Sequence, residues 1–280
     1  PNALAPGLKA GVRTLVYAQN WIFFLNNLPE GVAWRQLPLE YLAVSRPVAW
    51  FMREVLGLGV RGILPAAVPP LFFGKPDKSV TAAESVRVAW MPRKNRALGR
   101  QVLQIASERL ALETGKPGFE IVEIDNLSRQ EVADRLSGAH IFLSSGFPEG
   151  FALPPLEAMA AGCVPVGFSG LGGFEYMRNP ADSDLPGLCR PPFALPPLPW
   201  QANGLFVSDG DVLSAGLALA RAVCLAAARH PLWDGLRAGA RKTAEAYSLD
   251  ERERQAARIW DELENQEHSP WRMSSVKHVK

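Results

Sequence analysis

Residues 144–177 read SSGFPEGFALPPLEAMAAGCVPVGFSGLGGFEYM, and this stretch decides the fold class. It runs from the end of an apolar strand through a loop of glycine and proline into a short helix, a second apolar strand and a glycine-rich turn. A strand, a helix and a strand in close succession indicate a parallel sheet, because parallel neighbours need a crossover connection. Ligands of such sheets bind beyond the carboxyl ends of the strands, which is where we expect the loop 145–153.

A phosphate-binding site is predicted where the helix starts, near Pro154. The first N–H groups of a helix have no partner within it, and the helix dipole places partial positive charge there. Pro154 and Pro155 preset the first turn but carry no N–H group. The donors are therefore expected among Phe151, Ala152, Leu153 and Leu156.

Two glutamates flank this predicted phosphate cradle. Glu149 lies in the loop, and Glu157, eight positions later, is expected on the first helical turn. Carboxylates on both sides of a phosphate suit a ligand with hydroxyl groups at both ends, such as a nucleotide sugar. Taken singly, Glu149 could instead be a solvated loop charge, and Glu157 a residue favoured by the helix dipole.

The α/β pattern continues on both sides of this stretch. Apolar runs predict strands at 14–19, 41–44, 59–64, 86–91, 119–124, 140–144, 163–168 and 205–207. Helices, counted from their cap residues, are predicted at 45–56, 96–114, 128–136, 154–161, 212–229, 231–246 and 248–263. Two of them begin with Ser-x-x-Glu capping boxes, at 128–131 and 248–251. The predicted fold class is α/β, with a doubly wound parallel sheet in the C-terminal part and a partial Rossmann-like domain before it.

Proline-rich segments divide the chain. The stretch 65–76 predicts an interdomain linker, and 178–201 predicts an inserted loop. We therefore expect a partial N-terminal domain at 1–75, a Rossmann-like domain at 76–247, a C-terminal helix at 248–268 and a tail at 269–280. Because the sequence starts at Pro1 and not at methionine, we also expect a missing N-terminal portion.

The composition excludes several classes of protein. The 280 residues are 48% hydrophobic, and 30 basic and 28 acidic residues are well mixed, which argues against a nucleic-acid partner. The three cysteines show no paired or metal-type spacing, so we expect neither a disulfide framework nor a zinc site, and a cytoplasmic location. No apolar run approaches the roughly 18–20 residues that span a bilayer.

The segment EGFALPPLEAMAAGCVPV, residues 149–166, resembles the signature of the large retaining family 4 glycosyltransferases, which have the B-type fold of two Rossmann-like domains. The resemblance extends more weakly over 86–247. It implies that Glu149 contacts the transferred sugar, that Glu157 contacts the ribose hydroxyls, and that the backbone between them holds the diphosphate. The backbone groups implied are those of Gly150, Phe151, Ala152 and Leu153. The substrate would be a nucleotide sugar of the UDP, GDP or dTDP type, with no separate cofactor and no metal.

The resemblance also implies cationic and glycine contacts to the donor. Arg93 matches the family's arginine, which neutralises the diphosphate as negative charge develops on the leaving group. The family's lysine falls several residues later, where this chain has Leu98 and Gly99; Lys94 is the candidate, and Arg96 or Arg100 could substitute. Gly172 and Gly173 match the glycine-rich turn that approaches the donor.

Other features leave the acceptor side open. His140 is expected to be structural, and Asn20 and Ser45 are candidates at strand ends facing the cleft. The acceptor is unknown, and a missing N-terminal portion could contact a membrane peripherally. Two rival functions stay open: an epimerase of nucleotide sugars with the same fold, and a non-catalytic binding or scaffold protein.

Overall fold

The computed structural model describes residues 4–25, 28–73, 85–115, 118–181, 191–195, 197–200 and 202–265. They form two parallel sheets flanked by helices, so the predicted α/β class is confirmed. The predicted tail, 269–280, lies outside the described residues.

The first sheet is small and entirely parallel. A short helix, α1 (Ala5–Lys9), precedes it, and its strands are β1 (Leu15–Ala18), β2 (Glu40–Ala43) and β3 (Gly62–Ile63), in the order β1-β2-β3. Helix α2 (Arg46–Glu54) joins β2 to β3. The predicted strand 59–64 is paired as a strand at two residues only, although the N–H groups of Arg61 and Leu64 also donate to β2.

The second sheet has the doubly wound order predicted from the alternating pattern. Its strands are β4 (Val86–Trp90), β5 (Phe119–Glu123), β6 (Ile141–Ser144), β7 (Val164–Phe168) and β8 (Leu205–Val207), all parallel in the order β5-β4-β6-β7-β8. The chain leaves β4 toward one edge and later leaves β6 toward the other. A crevice therefore opens between the loops that follow β4 and β6.

Helices cover both faces of this sheet. Helices α3 (Arg96–Thr114) and α6 (Val212–Ala227) pack together on one face. On the other lie α4 (Arg129–Ser137), α5 (Leu153–Ala160) and α7 (Pro231–Ala246). Strand residues alternate between the two faces: Ile141 and Leu143 pack with the first group, and Phe142 with the second. Among the described residues, only the bent pair α6 and α7 combined reaches the length and apolar character of a membrane span; no single helix does.

The last helix, α8 (Leu249–Asn265), returns to the first sheet. Ile259 lies against Gly62, and Arg252 Nε donates to the carbonyl oxygen of Pro65 at 3.2 Å. Val68 and Ser248 pair with each other near the start of α8. Val68 lies where the chain passes from the first sheet to the second, and Ser248 lies where it returns. The C-terminal helix predicted at 248–268 thus follows the second sheet in sequence but packs on the first.

Most element ends lie within two residues of their predicted positions, and the differences have local causes. Both hydrogen bonds of the capping box at Ser128 and Glu131 form, which fixes the start of α4. The predicted linker is not wholly irregular, because Pro70–Phe72 forms a 3₁₀ turn with Phe72 buried. In the inserted loop, the buried Trp200 donates from its indole nitrogen to the carbonyl oxygen of Tyr176 at 3.1 Å.

Candidate active site

The crevice between the β4 and β6 loops brings together the basic and acidic residues that the sequence singled out. Lys94 Nζ, after β4, donates to Glu149 Oε1, after β6, at 2.7 Å. Arg93 lies beside them, is exposed and has no ion-pair partner among the described residues. One free guanidinium and one paired ammonium therefore face the same crevice.

The loops that carry these residues are tied together. Asn95 adopts the left-handed conformation, and its side-chain amide donates to the carbonyl oxygens of Ser145 at 3.0 Å and Phe147 at 3.2 Å. Trp90 Nε1 donates to Ser145 Oγ at 3.1 Å. Sequence reasoning missed Asn95 and Ser145, although asparagine is a residue type that tolerates positive φ.

A run of free backbone donors leads into helix α5 and includes its first residue. Throughout the described ranges, the N–H groups of Gly150, Phe151, Ala152 and Leu153 find no protein acceptor. Ala152 enters the helix with φ 60° and ψ 59°, a left-handed conformation that is costly for alanine. Leu156, the other donor expected, lies inside α5, and the Tyr176 hydroxyl donates to the carbonyl oxygen of Ala152 at 2.5 Å.

Glu157 occupies a different place in α5 from the one predicted. The helix begins at Leu153, one residue earlier than expected, so Glu157 is its fifth residue and no acidic residue lies in the first turn. The left-handed Ala152 starts the helix early. The helix dipole, which acts mainly at the first turn, is thus a weaker explanation for this glutamate than the sequence suggested.

Burial makes the carboxyl group of Glu157 a weaker acid than an ordinary glutamate. The side chain is 11% exposed, and Arg129 NH2 lies 3.6 Å from its Oε1. Loss of solvation raises the pKa of Glu157 to about 7, against the partial opposing effect of Arg129. Near neutral pH this carboxyl group can therefore both donate and accept hydrogen bonds.

The glycines of the turn after β7 pack against the Glu149 loop. A Cβ on Gly172 would lie 2.2 Å from the carbonyl carbon of Gly150, and one on Gly173 would lie 2.4 Å from Met177 Sδ. The N–H groups of both glycines donate within the chain, to the carbonyl oxygens of Glu149 and Ser169. Gly172 is thus required for the close packing that holds Glu149, whereas Gly173 lies against the flexible side chain of Met177, and the N–H groups of both are already engaged.

Residues of the first sheet reach the same loop. Ser45 Oγ caps α2 and donates to the carbonyl oxygen of Gly150 at 2.6 Å; Asn20 Nδ2 donates to that of Pro148 at 3.3 Å. Both contact this loop, but neither lines the two cavities described below, and Ser45 is fully buried. His140 lies at the opposite end of β6, where its Nδ1 accepts from the N–H of Arg87 at 3.0 Å, in keeping with a structural role.

Glu175 is a buried residue of this region to which the sequence analysis gave no role. Its Oε2 accepts from the N–H of Arg46 at 2.6 Å, its Oε1 accepts from the Arg46 guanidinium, and the Tyr247 hydroxyl donates to it at 3.2 Å. The sequence shows that Glu175 follows Gly173 by two residues, but it does not show its partners, which lie far away in sequence.

Two cavities meet at Glu149. The smaller, of about 50 Å³, lies between the β4 loop and the start of α5 and is lined by Arg93, Lys94 and Glu149. The larger, of about 420 Å³, lies between the sheets and is lined by residues 149–153 and by Arg129. The free N–H groups therefore border a cleft open to a ligand much larger than phosphate. Among the described residues, no group of three or more His, Cys, Asp or Glu side chains could hold a metal ion.

Known proteins with similar sequences are glycosyltransferases. An alpha-1,6-glucosyltransferase of Actinobacillus pleuropneumoniae serotype 7 is 40% identical over 85 residues, which are 25% of this chain and 26% of that protein. A putative glycosyltransferase of Sulfolobus islandicus filamentous virus is 32% identical over 121 residues, 41% of this chain and 35% of that protein. The matches thus span about a quarter to a third of these relatives. No protein-family profile matches the chain.

Solved structures with the same fold cover nearly the whole chain. Sucrose-phosphate synthase from Thermosynechococcus elongatus has a TM-score of 0.62 at 16% identity, over 94% of this chain and 71% of that one. A TarM variant of S. aureus, solved with fondaparinux, alpha-GlcNAc-glycerol and UDP, has a TM-score of 0.57 at 10% identity, over 89% and 51% of the two chains. The pneumococcal O-GlcNAc transferase GtfA, solved with UDP and GlcNAc, has a TM-score of 0.51 at 12% identity, over 90% and 53%. The B-type, two-Rossmann glycosyltransferase fold expected from residues 149–166 is confirmed.

Proposed function

We propose that this chain transfers a sugar from a nucleotide-diphosphate sugar to an acceptor hydroxyl, with retention of configuration and without a metal ion. The observation that carries the proposal is the run of four free N–H groups at 150–153, placed beside Arg93 and the Lys94–Glu149 pair. Sequence similarity to glycosyltransferases and the shared fold support the same activity.

The diphosphate would lie against the start of α5. Backbone N–H groups and the positive end of a helix dipole bind phosphate without a counter-charge of their own. Arg93 and Lys94 approach the same crevice from the β4 loop and would neutralise the charge that develops on the leaving diphosphate. This charge compensation is the reason for proposing a reaction that needs no metal ion.

The two glutamates would fix the ends of the donor. Glu149, held by its own backbone bonds to Gly170 and Gly172, would accept hydrogen bonds from hydroxyls of the transferred sugar. Glu157, on the Arg129 side of α5, would bind the ribose hydroxyls. Since the Glu157 carboxyl can donate as well as accept near neutral pH, it suits two adjacent hydroxyl groups.

Retention follows from attack on the face that the leaving group departs from. The acceptor hydroxyl would lose its proton to the leaving diphosphate oxygen while the sugar passes through an oxocarbenium-like state. The chain's own contribution is to orient the donor through Glu149 and to stabilise the diphosphate through Arg93, Lys94 and the free N–H groups.

Calorimetry and donor turnover test the proposal. The purified chain is titrated with UDP, GDP and dTDP sugars, and release of the nucleoside diphosphate is followed with EDTA present. We expect at least one donor to bind, and we expect Glu149→Ala and Glu157→Ala to abolish turnover. The control Glu40→Gln, at the start of β2 and away from the cleft, should keep its turnover. Unchanged kinetics in both alanine variants would contradict the proposed donor site.

The nature of the products separates the rival functions. A glycosylated acceptor whose anomeric configuration matches that of the donor, seen by NMR, supports retaining transfer. Free epimerised sugar would identify an epimerase instead, and no binding to any member of the donor panel would identify a scaffold.

A further inference from the structure

We propose that Glu175 is a positioning residue that clasps the first sheet onto the donor loop and so sets the geometry for transfer. The clasp consists of Ser45, Arg46, Gly150 and Glu175. This inference rests on the proposed function, since positioning matters only if the two halves act on one donor and one acceptor.

Glu175 binds the start of α2 at two points. Its carboxylate accepts from the main-chain N–H of Arg46 at 2.6 Å and from the Arg46 guanidinium. The side chain is fully buried, whereas that of Arg46 is 49% exposed. A buried carboxylate at a helix N-terminus is stabilised by the dipole and by charge-assisted hydrogen bonds, so it resists being pulled away.

The bond to Arg46 positions the adjacent residue, Ser45. Ser45 caps the same helix and donates from Oγ to the carbonyl oxygen of Gly150 at 2.6 Å. Gly150 directly follows Glu149, whose backbone is held on its other side by the turn that leads to Glu175. Glu149 is thus fixed between two supports, and Glu175 connects them across the interface between the sheets.

An aromatic contact reinforces the same interface. Phe193, from the inserted loop, lies 5.2 Å from Trp50 of α2 and 6.4 Å from Phe174, next to Glu175, measured between ring centroids. Trp50 lies one helical turn after Arg46, so the polar and aromatic contacts involve one face of α2. The clasp therefore has a polar part and an apolar part.

The clasp should affect turnover more than donor binding. The free N–H groups, Arg93, Lys94 and both site glutamates belong to the second sheet and its helices, so the donor can bind without the first sheet. Positioning of the acceptor relative to Glu149 needs the two sheets to be held together.

The experiment compares Glu175→Ala, Glu175→Gln and the control Glu40→Gln. Glu40 is also a mostly buried glutamate paired with arginine, but it lies at the start of the central strand β2, at the opposite end of that strand from Ser45 and Arg46. We expect Glu175→Ala to lower kcat at least 10-fold while the Kd for the donor changes less than 3-fold. Glu175→Gln, which can still accept from the Arg46 N–H, should recover part of kcat. Glu40→Gln should match the wild type in both.

A distance measurement tests the clasp independently of activity. Spin labels are attached at Arg53→Cys on α2 and Ser137→Cys on α4, in a protein whose native cysteines have been replaced. Pulsed electron paramagnetic resonance then reports the distance between the two halves. We expect Glu175→Ala to broaden the distance distribution and Glu40→Gln to leave it unchanged. An unchanged distribution, or a loss of donor affinity equal to the loss of kcat, would overturn the clasp. If neither the wild type nor any variant binds or turns over a donor, the proposed function fails. The distance measurement then still decides whether the clasp exists.

Discussion

The carbonyl oxygen of Gln19, directly after β1, lies so close to Gly150 that a Cβ on this glycine would approach it to 1.9 Å. The two sheets therefore touch backbone to backbone at the residue that follows Glu149. Only glycine fits here, and the reason is contact between the sheets, not the glycine's φ angle.

Replacing this glycine should force the sheets apart. We expect Gly150→Ala to lower the free energy of unfolding by about 1–3 kcal/mol, the usual cost of overpacking, and to reduce kcat. Gly235→Ala is the control, because nothing lies within 4 Å of a Cβ on that exposed residue of α7. This control should be neutral or stabilising by up to about 1 kcal/mol. Thermal unfolding and donor turnover measure both effects, and equal stability of the two variants would contradict the contact.

The raised pKa of Glu157 predicts a pH dependence of stability. Between the ordinary value of 4.5 and about 7, the folded protein keeps a proton that the unfolded chain releases. Stability should therefore fall as pH rises through this window and level off above it. The total is on the order of 3 kcal/mol, because one pKa unit corresponds to about 1.4 kcal/mol.

The Glu157→Gln variant should escape this loss. We expect it to equal the wild type near pH 4.5 and to be the more stable protein at pH 8, as measured by urea unfolding at both values. Glu40→Gln should instead be less stable than the wild type at pH 8, since the hydrogen bond from Arg13 lowers the pKa of Glu40, and this deficit should be lost only below about pH 4.5. A constant difference at both pH values would show that Glu157 does not titrate in the window.

The position of Lys94 predicts which cation serves the leaving group. Lys94→Ala should lower kcat by roughly 10²-fold, as expected for loss of one charge-assisted contact to the transition state. Arg96→Ala should change little, because Arg96 is paired with Asp125 at 2.7 Å and Glu123 at 3.4 Å outside the crevice. Steady-state kinetics with a donor that binds would decide, and a larger loss in Arg96→Ala would reverse the assignment.

Gly99 occupies one of the two positions where the resembling family has its lysine, and the indole of Trp90 leaves no room for a side chain there. A Cβ on Gly99 would lie 2.6 Å from the indole of Trp90, whose nitrogen binds Ser145. We expect Gly99→Ala to destabilise the fold by about 1–3 kcal/mol in chemical unfolding. Gly59→Ala, with no atom within 4 Å of its Cβ, should not. Similar stability of the two variants would show that the indole moves aside at little cost.

The repeating elements of the fold could be predicted from the sequence because their signals are local. The buried strand Val164–Phe168 is a short apolar run, and α3 spans Arg96–Thr114 as predicted, since its C-cap, Gly115, ends the helix in a left-handed conformation. Helix α5 began one residue early because alanine at position 152 adopts a conformation that alanine seldom adopts, which composition does not signal.

The site could be predicted only in part. The pairing of Lys94 with Glu149 joins loops at neighbouring parallel strands, and the strand order makes such meetings predictable. The bond between Glu175 and Arg46 joins residues 129 positions apart across two sheets. No periodicity or spacing encodes that contact, since it depends on how the sheets dock.

If the proposed donor site is correct, a ligand that binds the free N–H groups at 150–153 should also stabilise the fold. Before a ligand arrives, only solvent can satisfy these donors, and that part of the chain is less stable than its packing would allow. An anion that binds there adds its binding free energy to the folded state, about 2.7 kcal/mol at a concentration 100 times its Kd. The melting temperature in a series of nucleoside diphosphates should therefore rank the bases by affinity, even while the acceptor is unknown.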